Sequence, residues 1–234
     1  EGMRIHHNLV KRYALKGDWG HTGGIQINPG SVGHVYSNTL DASGLETFDN
    51  AFQVAGGVDG PTFIYNNLVV ASEVPFLKLN RMGNPESPVH LLNNTFVLRA
   101  GSSSTLSIAC SETWEQAFYV TNNIFTRYAT IGTFIWEDAD GQAYSKIVDQ
   151  HNANCPINGA IYTNGLDEDQ QVPGNLYMSD PSAIGFVDLE GEDYHLGEGS
   201  PAIDTGSDLS ALFSEDIEGT ERTGEAYDMG AYAY

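Results

Sequence analysis

The sequence predicts an all-β fold, a parallel β-helix of about six coils followed by an irregular C-terminal closing segment. Three observations carry that expectation. An asparagine recurs every 27 to 30 residues, apolar residues stand at fixed offsets around it, and a second column of short alternating segments keeps nearly the same period.

The asparagine column runs through Asn8, Asn38, Asn67, Asn94 and Asn123, and more weakly Asn152. Three residues earlier stand Ile5, Val35, Ile64, Leu91 and Val120, then Asp149. Two residues later stand Val10, Leu40, Val69, Phe96 and Phe125, then Asn154. Both flanking columns are apolar five times and turn polar together at the sixth. Asparagine is a poor strand residue, and a buried amide needs partners. Both problems vanish if the coils stack. Each Asn then occupies a bend, where it tolerates the left-handed conformation, and bonds the next Asn and the turn backbone. The repeated asparagines are therefore expected to be structural.

The second column comprises 24–28, 51–55, 76–80, 105–109 and 133–137. Helical repeats of this length would space apolar residues by three and four, whereas these alternate, so one face of each segment points inward. Ile25, Ile27, Phe52, Val54, Leu77 and Leu79 are the expected core. The outward positions read Gln26, Gln53, Lys78, Ser107 and Ile135 in one column, and Asn28, Ala55, Asn80, Ala109 and Glu137 in the next. The repeats assign residues 1–160 to coils and 161–234 to the closing segment.

Composition limits the partners. Formal net charge is −21, from 31 acidic and 10 basic residues, which excludes nucleic acid as a target because phosphate binding needs a positive field. The same charge opposes long-range attraction of acidic polysaccharides unless cations bridge. No segment approaches the ~20 apolar residues of a membrane span, and no signal peptide is visible. Cys110 and Cys155 lie at different phases of the repeat and are expected to be two free thiols. Ile5 to Val10 already matches the repeat, so the expectation is either that an N-terminal part has been removed or that the first coil is covered by something else, a second copy of the chain being one candidate and hence a homo-oligomer.

The C-terminal segment carries Asp180-Pro181, Phe186, Asp188, Tyr194-His195-Leu196 and Gly199-Ser200-Pro201-Ala202-Ile203-Asp204-Thr205-Gly206. Asp216, Gly219, Arg222 and Asp228-Met229-Gly230-Ala231-Tyr232 follow. These spacings resemble the closing part of secreted bacterial right-handed parallel β-helix proteins, many of which are polysaccharide lyases or glycoside hydrolases. With the repeats, the resemblance covers nearly the whole chain. It implies a right-handed solenoid, a polysaccharide partner and a secreted or cell-surface location. The motif itself is not catalytic; its expected task is to close open coil edges.

On such a fold, outward residues of neighbouring coils form a surface along which a polymer can lie. The polar strip Gln26, Gln53, Asn80, Arg99 and Glu137 is the candidate substrate-binding surface, with Lys78 and Arg81 as the candidate catalytic pair. A lyase acting on a uronate needs its carboxylate neutralised, a base for the C5 proton and an acid for the leaving oxygen. Lys78 would be the base, its pKa lowered by Arg81, and Arg81 or Arg99 would neutralise the carboxylate. A hydrolase would need paired outward carboxylates, for which Glu137, Asp138 and Asp140 are the nearest approach. The acidic runs 167–169 and 188–193 offer the oxygen ligands that Ca²⁺ takes, although neither matches an EF-hand loop. His6, His7 and His21 show no zinc spacing. Trp19, Trp114 and Trp136 would stack on sugar rings if exposed. The alternative to an enzyme is a non-catalytic carbohydrate-binding or structural module.

Overall fold

The structure, a computed structural model, describes residues 2–11, 23–27, 33–42, 50–55, 60–71, 77–80, 88–98, 106–108, 118–127, 135–137, 147–150, 152–155, 174–178 and 180–234. The described chain is all-β, with no α-helix. Three strands form each coil. The first coil contributes β1 (Met3–His6), β2 (Leu9–Lys11) and β3 (Gly23–Ile27), and the second β4 (Gly33–Tyr36), β5 (Thr39–Ala42) and β6 (Asn50–Ala55). The third has β7 (Thr62–Tyr65), β8 (Leu68–Ala71) and β9 (Leu77–Asn80), and the fourth β10 (Val89–Leu92), β11 (Thr95–Leu98) and β12 (Leu106–Ile108). The fifth has β13 (Phe118–Thr121), β14 (Ile124–Arg127) and β15 (Ile135–Glu137), after which come β16 (Ile147–Gln150), β17 (Ala153–Cys155) and β18 (Leu176–Tyr177).

Among the described strands, β1 to β18 pair in parallel with their counterparts in the adjoining coils. Sheet one is β1-β4-β7-β10-β13-β16, sheet two β2-β5-β8-β11-β14-β17-β18, and sheet three β3-β6-β9-β12-β15. These stacked parallel sheets fit a parallel β-helix. The register joins Ile5, Val35, Ile64, Leu91 and Val120 in one file and Val10, Leu40, Val69, Phe96 and Phe125 in another. Val35, Ile64, Leu91, Leu40, Val69 and Phe96 are fully buried, and Phe96 stacks on Phe125 at 5.0 Å. Like residues stacked on like fill each layer to the same volume, which close packing requires.

The asparagines form a continuous ladder. The side-chain Nδ2 of Asn8, Asn38, Asn67, Asn94 and Asn123 each donates to Oδ1 of the next, at 2.9 to 3.0 Å, ending on Asn152. The backbone N–H of each donates to that same oxygen, and Asn152 N–H donates to Asn175 Oδ1. The ladder thus persists past the point where Asp149 and Asn154 replace the apolar columns.

One expectation needs correction here. The left-handed residue is not the ladder Asn but its predecessor: His7, Ser37, Asn66, Asn93 and Asn122 have φ between 48° and 57°. The two asparagines of Asn66-Asn67, Asn93-Asn94 and Asn122-Asn123 divide the labour. The first supplies the backbone turn that few other residues tolerate, and the second supplies the amide.

A second correction concerns sheet three. Leu106 pairs with Ile135, so Trp136, not Ile135, continues the file of Gln26, Gln53, Lys78 and Ser107. Glu137 pairs with Ile108 and falls in the file of Ile27, Val54 and Leu79. The connection into β15 is one residue longer than a 28-residue repeat implies, and a slip of one residue exchanges the two faces of a strand.

Residues 180–234 include a 3-10 turn, Pro181–Ile184, and the antiparallel pair β19 (Phe186–Asp188) and β20 (Asp193–Leu196). Asp180 caps the turn by accepting Ser182 N–H, and Gly185 leaves it at φ 74°. The segment meets the flank where sheets one and two join, in addition to the last strands. Leu68, Val70 and Val97 pack with Tyr194, Ile217 and Ala231, while Ile124 packs with Ile184, Leu196, Ala202 and Met229. These contacts explain why neighbouring residues Leu68, Val69 and Val70 of β8 are all buried. Val69 points into the coil, and the other two are covered from outside.

The motif spacings of this segment are those of fasteners. Asp216 Oδ1 accepts Glu218 and Thr220 N–H, and its Oδ2 accepts Ala233 N–H. Asp228 accepts Asp204 and Tyr234 N–H. Gly230, at φ 91°, approaches the flank so closely that a Cβ would lie 2.6 Å from Ile124 Cδ1 and 2.8 Å from Thr95 Oγ1.

Candidate functional site

Of the predicted strip, sheet three holds Gln26, Gln53 and Asn80. Gln26 is exposed on β3, and Gln53 of β6, Lys78 of β9, Ser107 of β12 and Trp136 of β15 follow it in register. Adjacent strands lie ~4.8 Å apart, so the five positions form a row crossing the coils. Asn80 ends β9 opposite Ala55. Glu137 leaves the strip for the reason given above. Arg81, Arg99, Asp138, Asp140, Trp19, Trp114, His21, Cys110 and the run 167–169 lie outside the described residues.

The acidic run 188–193 is engaged locally. Asp188 Oδ1 accepts Gly191 N–H, while Asp193 Oδ1 accepts both His195 N–H and its Nδ1 at 2.6 Å. Among the described residues no group of three His, Cys, Asp or Glu side chains is placed to hold a metal ion. No helix among them is long and apolar enough to cross a membrane.

Sequence reasoning missed the outer face of sheet one. Arg4, His34, Phe63, His90 and Tyr119 stand in one file there. His34 stacks on Phe63 at 4.9 Å, Phe63 on His90 at 4.6 Å and His90 on Tyr119 at 4.6 Å, with planes within 19° of parallel. A second file stacks His6 on Tyr36 at 4.6 Å and Tyr36 on Tyr65 at 4.8 Å, and Phe213 of the C-terminal segment continues it at 4.7 Å. The signal was present: His34, Phe63, His90 and Tyr119 each precede a ladder asparagine by four residues. In such a file the ring faces cover one another. Sugar stacking needs free faces, so this surface reads as packing between coils rather than as a platform.

The stack sets proton affinities. Burial lowers the pKa of His34, with the charge of Arg4 adding to it, and burial lowers that of His90. Burial pushes Tyr65 up to about 12, with Tyr36 contributing. His195 behaves oppositely. Burial alone would lower it, but Asp193 on Nδ1 and Glu218 on Nε2 outweigh that and raise it. The signs for stability therefore differ. His34 and His90 contribute fully above the unfolded value of 6.5, and that contribution is lost as pH falls through their lowered values. The contribution of His195 is full below 6.5 and is lost as pH rises through its raised value. An NMR titration of the imidazole Cε1 protons is expected to place His195 above the ordinary histidine value and His34 and His90 below it; the reverse order would contradict the stacking described.

Comparison of the chain with protein-family models, with curated proteins and with solved structures finds no match.

Proposed function

We propose that the chain is a right-handed solenoid that binds a polysaccharide along the outer strip of sheet three, with lyase chemistry centred on Lys78. The observation that supports this reading most is the register of Gln26, Gln53, Lys78 and Ser107 on successive strands, with Gln26 exposed. Amides and an amine repeated at strand spacing offer hydrogen bonds to a polymer at regular intervals. Arg81 follows Lys78 by three residues, so a cation stands near it in the chain to favour the free amine at neutral pH. An acidic polysaccharide would bind mainly through local cations, since the net charge of −21 repels it at long range. Ca²⁺ would be the bridging ion. Secretion or display at the cell surface goes with this reading.

Incubation with alginate, pectate and chondroitin, with and without Ca²⁺, tests it through the ultraviolet absorbance of the unsaturated sugar that a lyase releases. Lys78→Ala is expected to lower that rate by about 10²-fold or more. Full activity in the variant would remove Lys78 from the chemistry. Binding without cleavage is a second reading, favoured by the departure of Glu137 from the strip. That departure also weakens a hydrolase, which needs paired carboxylates. Retention of polymer with no absorbance change would select it.

A further inference from the structure

The corner between sheets one and two changes character along its length. At the third, fourth and fifth coils its left-handed residues are Asn66, Asn93 and Asn122. Their carboxamides donate to carbonyls of the C-terminal segment: Asn66 to Glu215, Asn93 to Asp228 and Gly230, and Asn122 to Ser207. Those bonds seat the segment against the corner. At the first two coils the same position holds His7 and Ser37. There the segment stands off, leaving two adjoining cavities. One, of about 140 Å³, is bounded by Tyr36, Tyr65, Phe213 and Glu215; the other, of about 250 Å³, by Leu9, Thr39, Ile217, Glu218 and Tyr232. His7 and Ser37 line both.

We infer that this two-lobed cleft is a saccharide site that takes a neutral disaccharide unit, one ring in each lobe, bridged over His7 and Ser37. It uses a surface distinct from sheet three and does not depend on Lys78. Size is the first argument: a cavity of about 150 Å³ accommodates one six-membered ring, and the cleft offers two such spaces side by side. The lining is the second. Phe213, Leu9 and Ile217 offer apolar surface to ring C–H groups, while Ser37, Thr39, Glu215 and Glu218 offer acceptors for hydroxyl groups. Glu218 is steadied by His195 at 3.2 Å. The hydroxyls of Tyr65 and Tyr232, both pushed up to about 12 chiefly by burial, remain donors at neutral pH. Charge is the third argument. Among the described residues no Lys or Arg lines either lobe, so an anionic sugar would face Glu215 and Glu218 without an ammonium or guanidinium opposite them. A purely apolar ligand would instead leave the hydroxyls and carboxylates unpaired.

The test is an NMR titration of the full ¹⁵N-labelled chain with cellobiose, maltose and diacetylchitobiose, using digalacturonate as the anionic and cadaverine as the cationic control. At least one neutral disaccharide is expected to shift the amides of Ser37, Asn66 and Glu215 at millimolar concentration. Ser37→Asn, which restores the residue of the next coils at a left-handed position that Asn favours, fills the bridge and should weaken binding at least ~10-fold. Glu215→Gln keeps the shape and should weaken it severalfold, which decides the matter if the first variant does not fold. The inference is overturned if no neutral disaccharide shifts these amides, if only digalacturonate or cadaverine does, or if the variants bind as the parent does. Lys78→Ala should leave these shifts unchanged and Ser37→Asn should leave polymer cleavage unchanged, so failure at one surface is separable from failure at the other.

Discussion

Replacing Asn94 by alanine is expected to lower the unfolding free energy by about 3 kcal/mol, a large loss for one exchange. Asn94 sits at the middle of the ladder and is fully buried. Its Oδ1 accepts the backbone N–H of Asn67 at 3.0 Å and Asn67 Nδ2 at 2.9 Å. Its Nδ2 reaches Ile64 O, Leu92 O and Asn123 Oδ1. Alanine removes all of these together and leaves the Asn67 N–H without its acceptor at a position water does not reach. The desolvation of that group was already incurred on folding, so the loss exceeds the net worth of an ordinary hydrogen bond. Urea denaturation should show a lower midpoint with an unchanged slope. Asn8→Ala, at the exposed end of the same ladder, should cost about 1 kcal/mol, because water can replace its bonds. Equal losses at the two positions would argue against the ladder as the source.

Arg222→Ala is expected to cost about 3 kcal/mol and to release the C-terminal segment first. Arg222 is 6% exposed, an unusual place for a guanidinium. Burial lowers its pKa to about 10, against the pull of Asp216 and Asp228, so it remains charged at neutral pH. Its Nη2 donates to Gly230 O at 2.8 Å and to Asn66 Oδ1 at 3.1 Å, and its Nη1 donates to Asp228 O. The guanidinium carbon lies 5.6 Å from the centre of the Tyr227 ring. One side chain thus ties the segment to itself and to the corner of the third coil. Hydrogen exchange in the variant should rise across residues 200–234 before it rises in β7 or β10. Uniform acceleration across the chain would mean that the segment and the coils unfold as one unit.

The architecture was legible because stacking turns a period in the sequence into a file in space. Ile64 and Leu91 are 27 residues apart and become neighbours, so their likeness is a direct record of contact. The ladder was legible for the same reason. The assignment of the left-handed turn to Asn94 rather than Asn93 was not, since both members of the pair are asparagines and composition cannot separate an amide that bonds from a backbone that bends. The misplacement of Ile135 and Glu137 shows the weakness of a fixed period: one extra residue in a connection leaves the pattern recognisable yet exchanges the faces of β15. The flank cleft could not be read at all. It depends on residues such as Phe213 and Ser37, far apart in the chain, meeting across a surface that has no repeat.

The most direct test of the stacked architecture is side-chain amide NMR of the ladder. The Nδ2 protons of Asn38, Asn67, Asn94 and Asn123 should be protected from solvent exchange, and each should show a nuclear Overhauser contact to the amide of the next asparagine, about one strand spacing (~4.8 Å) away. Carboxamide protons that exchange as fast as those of an exposed asparagine, with no contacts between residues 27 to 29 apart, would contradict it.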